Sequence, residues 1–161
     1  VGDPLSTADA AEAVAGFATG VVVLTVRDGR DDHGTTVTSF LSVSLDPPLV
    51  LVSMTTSSYL TEVLHRRDRW AATILASSQR ALAGRFAAAG RPGARILLAA
   101  EPHRRGTASD ALIPDGGVAA LECATRDRVE AGDHTLFIAE PLAVAYTASR
   151  PPLVRASRRY L

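Results

Sequence analysis

"TTVTSFLSVSLDPPLVLVS", Thr35 to Ser53, is the stretch that decides the fold. Its first half alternates, with Val37, Ser39, Leu41, Val43 and Leu45 on one side and Thr36, Thr38, Phe40, Ser42 and Ser44 on the other. This is the period-2 pattern of a strand with two unlike faces. Asp46-Pro47-Pro48 interrupts it, because proline has no N–H to give a sheet ladder. "LVLVSM" then reads as a second, buried strand, so two strands flank a proline corner. A face of hydroxyls commonly meets water. Whether this one meets something else is decided by the rest of the chain.

Upstream, Ser6 and Asp9 make a capping-box-like pair ahead of Ala10, Val14 and Phe17, predicting a short helix that ends near Gly16 to Gly20. "GVVVLTV" is a β-branched strand closed by the turn-rich "RDGRDDHG", in which Asp31 and Asp32 read as solvated turn residues. Downstream, Ser57 or Ser58 caps a helix with Leu60, Val63 and Leu64 on one face. "RWAATIL" is a strand, and "SSQRALAGRFAAAG" a second capped helix. From Gly90 to Gly117 the pattern dissolves into Gly, Pro and charge and reads as a long, mobile excursion. Two long strand patterns follow, joined around Ala131-Gly132-Asp133, and a short extended tail ends the chain. About six strands, linked mostly by turns or short helices, predict a mainly β, antiparallel barrel with helices at its rim, forming one domain over residues 1–161.

Composition narrows the function. The 161 residues carry 17 basic and 17 acidic side chains, a net charge of zero, which argues against a nucleic-acid binder held by phosphate contacts. Every one of those basic residues is arginine, so a Schiff-base lysine and a P-loop lysine are excluded. The four histidines are scattered, none at metal-ligand spacing from another, and no metal is expected. The single cysteine, Cys123, lies in an apolar stretch, and neither a signal peptide nor a membrane span is read, so a reducing, cytoplasmic setting is expected.

What remains is a strand of hydroxyls, a second hydroxyl cluster in "SMTTSS" before a helix, and His134 just after a tight turn. Ser and Thr donate and accept without imposing charge, and a helix amino end offers free N–H groups to a phosphate. The set suits a large, flat, neutral ligand with a phosphate tail.

In order, "FATGVVVLT" (Phe17 to Thr25), "TTVTSFLSVSLDPPLVLVS", "LAGRFA" (Leu82 to Ala87), "LEC" (Leu121 to Cys123), "EAGDHTLFIAE" (Glu130 to Glu140) and "RRY" (Arg158 to Tyr160) resemble the flavin reductase family, the small reductase components of two-component flavin monooxygenases. The resemblance leaves out the first few residues and the excursion between about Gly90 and Ile113. It implies a Greek-key split barrel binding FMN or FAD. It also implies NAD(P)H as electron donor, a homodimer with flavin near the subunit interface, and a monooxygenase partner.

Carried over by position, Thr38, Ser39 and Phe40 would meet the isoalloxazine, with Thr36, Ser42 and Ser44 on the same strand supporting the ring or ribityl side. Ser53, Met54, Thr55, Ser57 and Ser58 would hold the ribityl and phosphate. Arg85 and Phe86 would close the phosphate or adenylate end, and Arg159 and Tyr160 would lie toward the nicotinamide. His134 matches the histidine of the family's G-D-H motif and is the expected catalytic residue. Thr38 stands where the family often has Asn, and Arg155, Ala156 and Ser157 stand where relatives carry aromatics. The alternatives are a flavin-binding electron carrier or tailoring oxidoreductase of the same fold, and a plain barrel whose hydroxyl face meets water.

Overall fold

The computed structural model describes residues 4–161. Helix α1 (Thr7–Ala15) is capped by Ser6, whose Oγ accepts from the Asp9 N–H at 3.1 Å. Strand β1 (Thr19–Gly20) precedes a hairpin of β2 (Val22–Asp28) and β3 (Asp31–Val37), turned at Gly29 with φ of 63°. Strands β4 (Phe40–Leu45) and β5 (Pro48–Thr55) form the next hairpin, across a cis Asp46–Pro47 peptide. Helix α2 (Tyr59–Arg66), β6 (Arg69–Ile74) and α3 (Arg80–Ala87) follow, then α4 (Ala94–Leu97), β7 (His103–Arg105) and β8 (Leu112–Pro114). Two long strands, β9 (Ala119–Ala131) and β10 (His134–Thr147), and two short ones, β11 (Val154–Ala156) and β12 (Arg159–Tyr160), end the chain.

Seven strands form one antiparallel sheet in the order β3-β2-β6-β9-β10-β5-β4. Laid flat, its two outer strands would lie about 29 Å apart at the usual spacing between neighbours. Only Thr38 and Ser39 join β3 to β4, and three Cα steps reach at most about 11 Å. The sheet therefore rolls up until its edges approach, giving a split barrel in which the expected single strand of hydroxyls is two strands with the split between them.

Two cores share β2. Val22, Leu24 and Val26 point into the barrel with Val52, Trp70 and Phe137, and α2 plugs that interior with Leu60, Val63 and Leu64. Val21 and Val23 point outward, under Leu82 and Phe86 of α3 and Ala94 and Leu98 of the α4 segment. Burial on both faces is why this strand reads as an unbroken apolar run.

Three sequence expectations are corrected here. The excursion between Gly90 and Gly117 is ordered: Ala94, Leu98 and Ala111 to Ile113 are buried. And Asp32 is a strand residue with its side chain 1% exposed, hydrogen-bonded to Arg95 and Arg105. It binds the excursion to β3, while buried Glu122 fastens its next turn by accepting from Ala108 N, Ser109 N and Ser109 Oγ at 2.9, 2.6 and 2.6 Å. The second helix also starts differently from expectation. A 3-10 turn (Ser77–Gln79) leads into α3, and the Gln79 side chain, not a serine, takes the Ala76 N–H at 3.1 Å.

At the β2–β3 turn, hydrogen bonds from Arg66 and Arg67 hold the Asp28 carboxyl at about 2, well below its ordinary value. A depressed folded-state pKa stabilises the protein above the unfolded value, and that contribution is lost as pH falls toward the folded one. Asp28→Asn is therefore expected to flatten the fall of the thermal midpoint between about pH 4 and pH 2. Melting curves of both proteins across that range check it; an unchanged slope would deny Asp28 this role.

Candidate functional site

A cavity of about 630 Å³ opens beside the barrel split, within the size range of small-molecule sites. Four parts of the chain build its wall. Strand β3 supplies His33 and Thr35, and the split supplies Thr38 and Ser39. Strand β5 supplies Ser53, Met54 and Thr55, and the start of α2 supplies Ser58 and Tyr59. His134, opposite Thr55 in the β5–β10 ladder, and the loop from Gly90 to Gly93 complete the rim.

The hydroxyls are held from behind. Ser39 Oγ donates to Ser53 O at 2.6 Å while Ser53 N donates to Ser39 O at 3.2 Å, a clasp between the split and β5. Ser58 is the N-cap of α2, its Oγ accepting from Thr61 N at 3.2 Å, which leaves the first N–H groups of the helix without intrahelical acceptors. His134 Nδ1–H donates to Asp133 Oδ1 at 2.7 Å, keeping the Asp133 carboxyl below its ordinary pKa. With Nδ1 so engaged, Nε2 is the imidazole atom left to meet a ligand.

Of the other sequence-picked residues, one borders this cavity and the rest lie off it. Thr36 borders the cavity but turns its hydroxyl to Ala83 O at 2.7 Å. Phe40 packs against the barrel core and, with Thr38 and Ser39, faces a second, apolar cavity of about 860 Å³ beside Val14, Phe17 and Leu41. Ser42 and Ser44 line neither cavity; they lie on β4, beyond the split, with a register shift between them in the β4–β5 ladder. Ser57 is exposed, one residue short of the cap.

Arg85 pairs with Glu101 outside both cavities, and Phe86 is fully buried in the second core, with no face free for a ligand. Arg159 and Tyr160 line neither cavity; Tyr160 packs on the second core beneath Arg80, and Arg155 and Arg158 border the apolar cavity instead.

Among the cavity residues not picked from sequence are His33, Tyr59 and Arg91. His33 meets Tyr59 edge-on at 5.2 Å, and its buried Nε2 has no hydrogen-bond partner among the described residues. Arg91 donates from Nε to Gly34 O at 2.8 Å. An arginine between Gly90 and Pro92 was the one available hint for the last, since a Gly-Pro loop offers a side chain to its surroundings without packing it.

Comparison with known proteins adds the lineage. The family described as "Flavin reductase like domain" matches residues 14–161. The chain is 38% identical over 135 residues to the NADH-dependent FMN reductase AsuE2 of Streptomyces nodosus subsp. asukaensis, covering 83% of this chain and 72% of that protein. It is 35% identical over 150 residues to the actinorhodin polyketide dimerase of Streptomyces coelicolor, covering 92% and 82%. The solved structure of the Streptomyces globisporus C-1027 NADH:FAD oxidoreductase SgcE6, in complex with NAD and FAD fragments, superposes with a TM-score of 0.89 at 30% identity, covering all of this chain and 94% of that one. A rolled antiparallel sheet, a hydroxyl-lined cavity at its split and a family match across nearly the whole chain agree: the protein belongs to the flavin reductase-like family.

Proposed function

We infer that the protein is an NADH-dependent flavin reductase that supplies reduced flavin to a partner monooxygenase. The observation that carries this is the cavity at the split, whose lining fits a flavin. The hydroxyls of Thr38, Ser39, Ser53, Thr55 and Ser58 are neutral donors and acceptors for a ring edge and ribityl chain, and beside them His33 Nε2 is a buried polar atom with no partner among the described residues.

When bound, flavin accepts a hydride from the nicotinamide; the protein's part is alignment and electrostatics. The Ser39–Ser53 clasp holds the two hydroxyl walls at a fixed separation. The α2 amino end, capped by Ser58, presents N–H groups to anionic oxygen. Asp133 holds His134 by Nδ1, which leaves Nε2 for a hydrogen bond with the carboxamide of the incoming nicotinamide.

The similarity to the polyketide dimerase favours a second reading, a tailoring oxidoreductase of the same fold. Flavin binding without rapid NADH oxidation would favour it over the first.

A homodimer accounts for the apolar surface. Phe17 by α1 and Leu41 on β4 are exposed at the apolar cavity, and Val43 and Leu45 further along β4 are exposed as well. Light scattering on purified protein is expected to give twice the chain mass, and Leu41→Asp is expected to shift it toward the monomer. A wild-type monomer would overturn this reading. No helix among the described residues is long and apolar enough to cross a membrane, and a buried free Cys123, its thiol pushed up to about 12 by burial, fits a reducing, cytoplasmic setting.

A further inference from the structure

We propose that Arg91 binds a phosphoryl group of the bound nucleotide, and that Asp32, from the opposite face of β3, is the positioning residue that sets Arg91 in place. The proposal rests on the flavin reductase reading above.

Arg91 borders the cavity and is half-buried, and its only polar contacts among the described residues are to two carbonyls, Gly34 O at 2.8 Å and Ala88 O at 3.3 Å. No carboxylate lies within ion-pair distance of it among the described residues. Burial with no opposing charge pushes its guanidinium below its ordinary pKa, an unfavourable arrangement that an anion would relieve. A guanidinium has five N–H donors, and two carbonyls leave most of them to offer.

The loop carrying Arg91 has little of its own to hold it: Gly90 has φ of 67°, and Pro92 and Gly93 follow. Its anchor is the α4 segment. Asp32 Oδ1 and Oδ2 accept from Arg105 at 2.8 and 3.0 Å, and Oδ2 also accepts from Arg95 at 2.9 Å. The backbone presses equally close, since a Cβ on Gly93 would sit 2.9 Å from Asp32 O. Asp32 thus fastens the loop to the back of the strand whose front, through His33 and Thr35, lines the cavity. Burial alone would push the Asp32 carboxyl up; the hydrogen bonds from Arg105 and Arg95 outweigh it and hold the group below its ordinary range, charged at neutral pH.

The phosphoryl group belongs either to FMN or to the nicotinamide dinucleotide, and riboflavin, which lacks one, separates them. Arg91→Ala is expected to weaken FMN about tenfold while moving riboflavin less than about twofold, if the flavin phosphate is the ligand. If it is the dinucleotide phosphate, both flavins bind as before and the KM for NADH rises about tenfold. Asp32→Asn is expected to reproduce the same selective loss at smaller size. The double variant is expected to bind no more weakly than Arg91→Ala alone, because Asp32 acts through Arg91. Should Asp32→Asn not fold, Arg95→Gln on the solvent side removes one bond of the anchor and is expected to give the same selectivity.

Equal weakening of FMN and riboflavin, or no change in either flavin or in KM for NADH, would overturn the Arg91 assignment. Multiplying losses in the double variant would overturn the positioning role of Asp32. Wild-type protein that binds neither flavin would overturn the underlying flavin reductase reading instead.

Discussion

Phe86→Ala is expected to cost about 3–5 kcal/mol of stability, the usual range for emptying a large buried aromatic site. Phe86 is fully buried among Val21, Val23, Leu82 and Leu98, and its ring lies against the backbone of Gly34. A Cβ at that glycine would meet Phe86 Cε1 at 2.7 Å and Leu24 O at 3.0 Å. Gly34→Ala alone is therefore expected to destabilise by about 1–3 kcal/mol through overpacking. In the Phe86→Ala background the ring is gone and the penalty should shrink, leaving only the closer approach to Leu24 O. Urea unfolding of the two single variants and the double checks this. Additive losses would mean that Gly34 is constrained by the backbone of β2 and not by the ring. A Phe86→Ala protein as stable as wild type but unable to hold flavin would restore the residue to the ligand site that the "RFA" resemblance suggested.

His134→Ala is expected to lower kcat/KM for NADH about 10- to 100-fold, the cost of one hydrogen bond that also orients the reacting ring, while flavin affinity changes less than about threefold. The direction follows from placement. His134 opens β10 at the cavity rim, opposite Thr55, with one nitrogen fixed by Asp133. It is suited to touch the second ligand to arrive, while the hydroxyl wall proposed for the flavin stands on β5 and the split without it. Asp133→Ala should reproduce part of the loss, because an unheld imidazole samples other orientations. Steady-state rates against NADH at saturating flavin, beside flavin titration, separate the two quantities. A variant that loses flavin binding and leaves kcat/KM for NADH intact at saturating flavin would place His134 on the flavin itself.

Much of the fold was legible in the sequence because its signals are local. Alternation from Val37 to Leu45, the Asp46-Pro47-Pro48 break, the Ser6 and Ser58 caps and the Gly132 turn each act within a few residues. The split itself was not legible: Thr38 and Ser39 continue the alternation as written, and only the need to close the sheet interrupts the strand there. Nor was the order in the excursion. Asp32 finds its arginines 63 and 73 residues away, so in sequence it sits among polar turn residues with nothing to mark it as buried. Arg91 likewise meets its carbonyl partner, Gly34 O, 57 residues away in sequence, and Ser42 and Ser44, on either side of a register shift, line neither cavity.

The most direct test of the central claim is absorbance at 340 nm during incubation of purified protein with NADH in air, with and without added FMN or FAD. The account predicts NADH loss that requires flavin and is far faster than flavin with NADH alone. Bound flavin with no accelerated NADH loss under any pairing would contradict it.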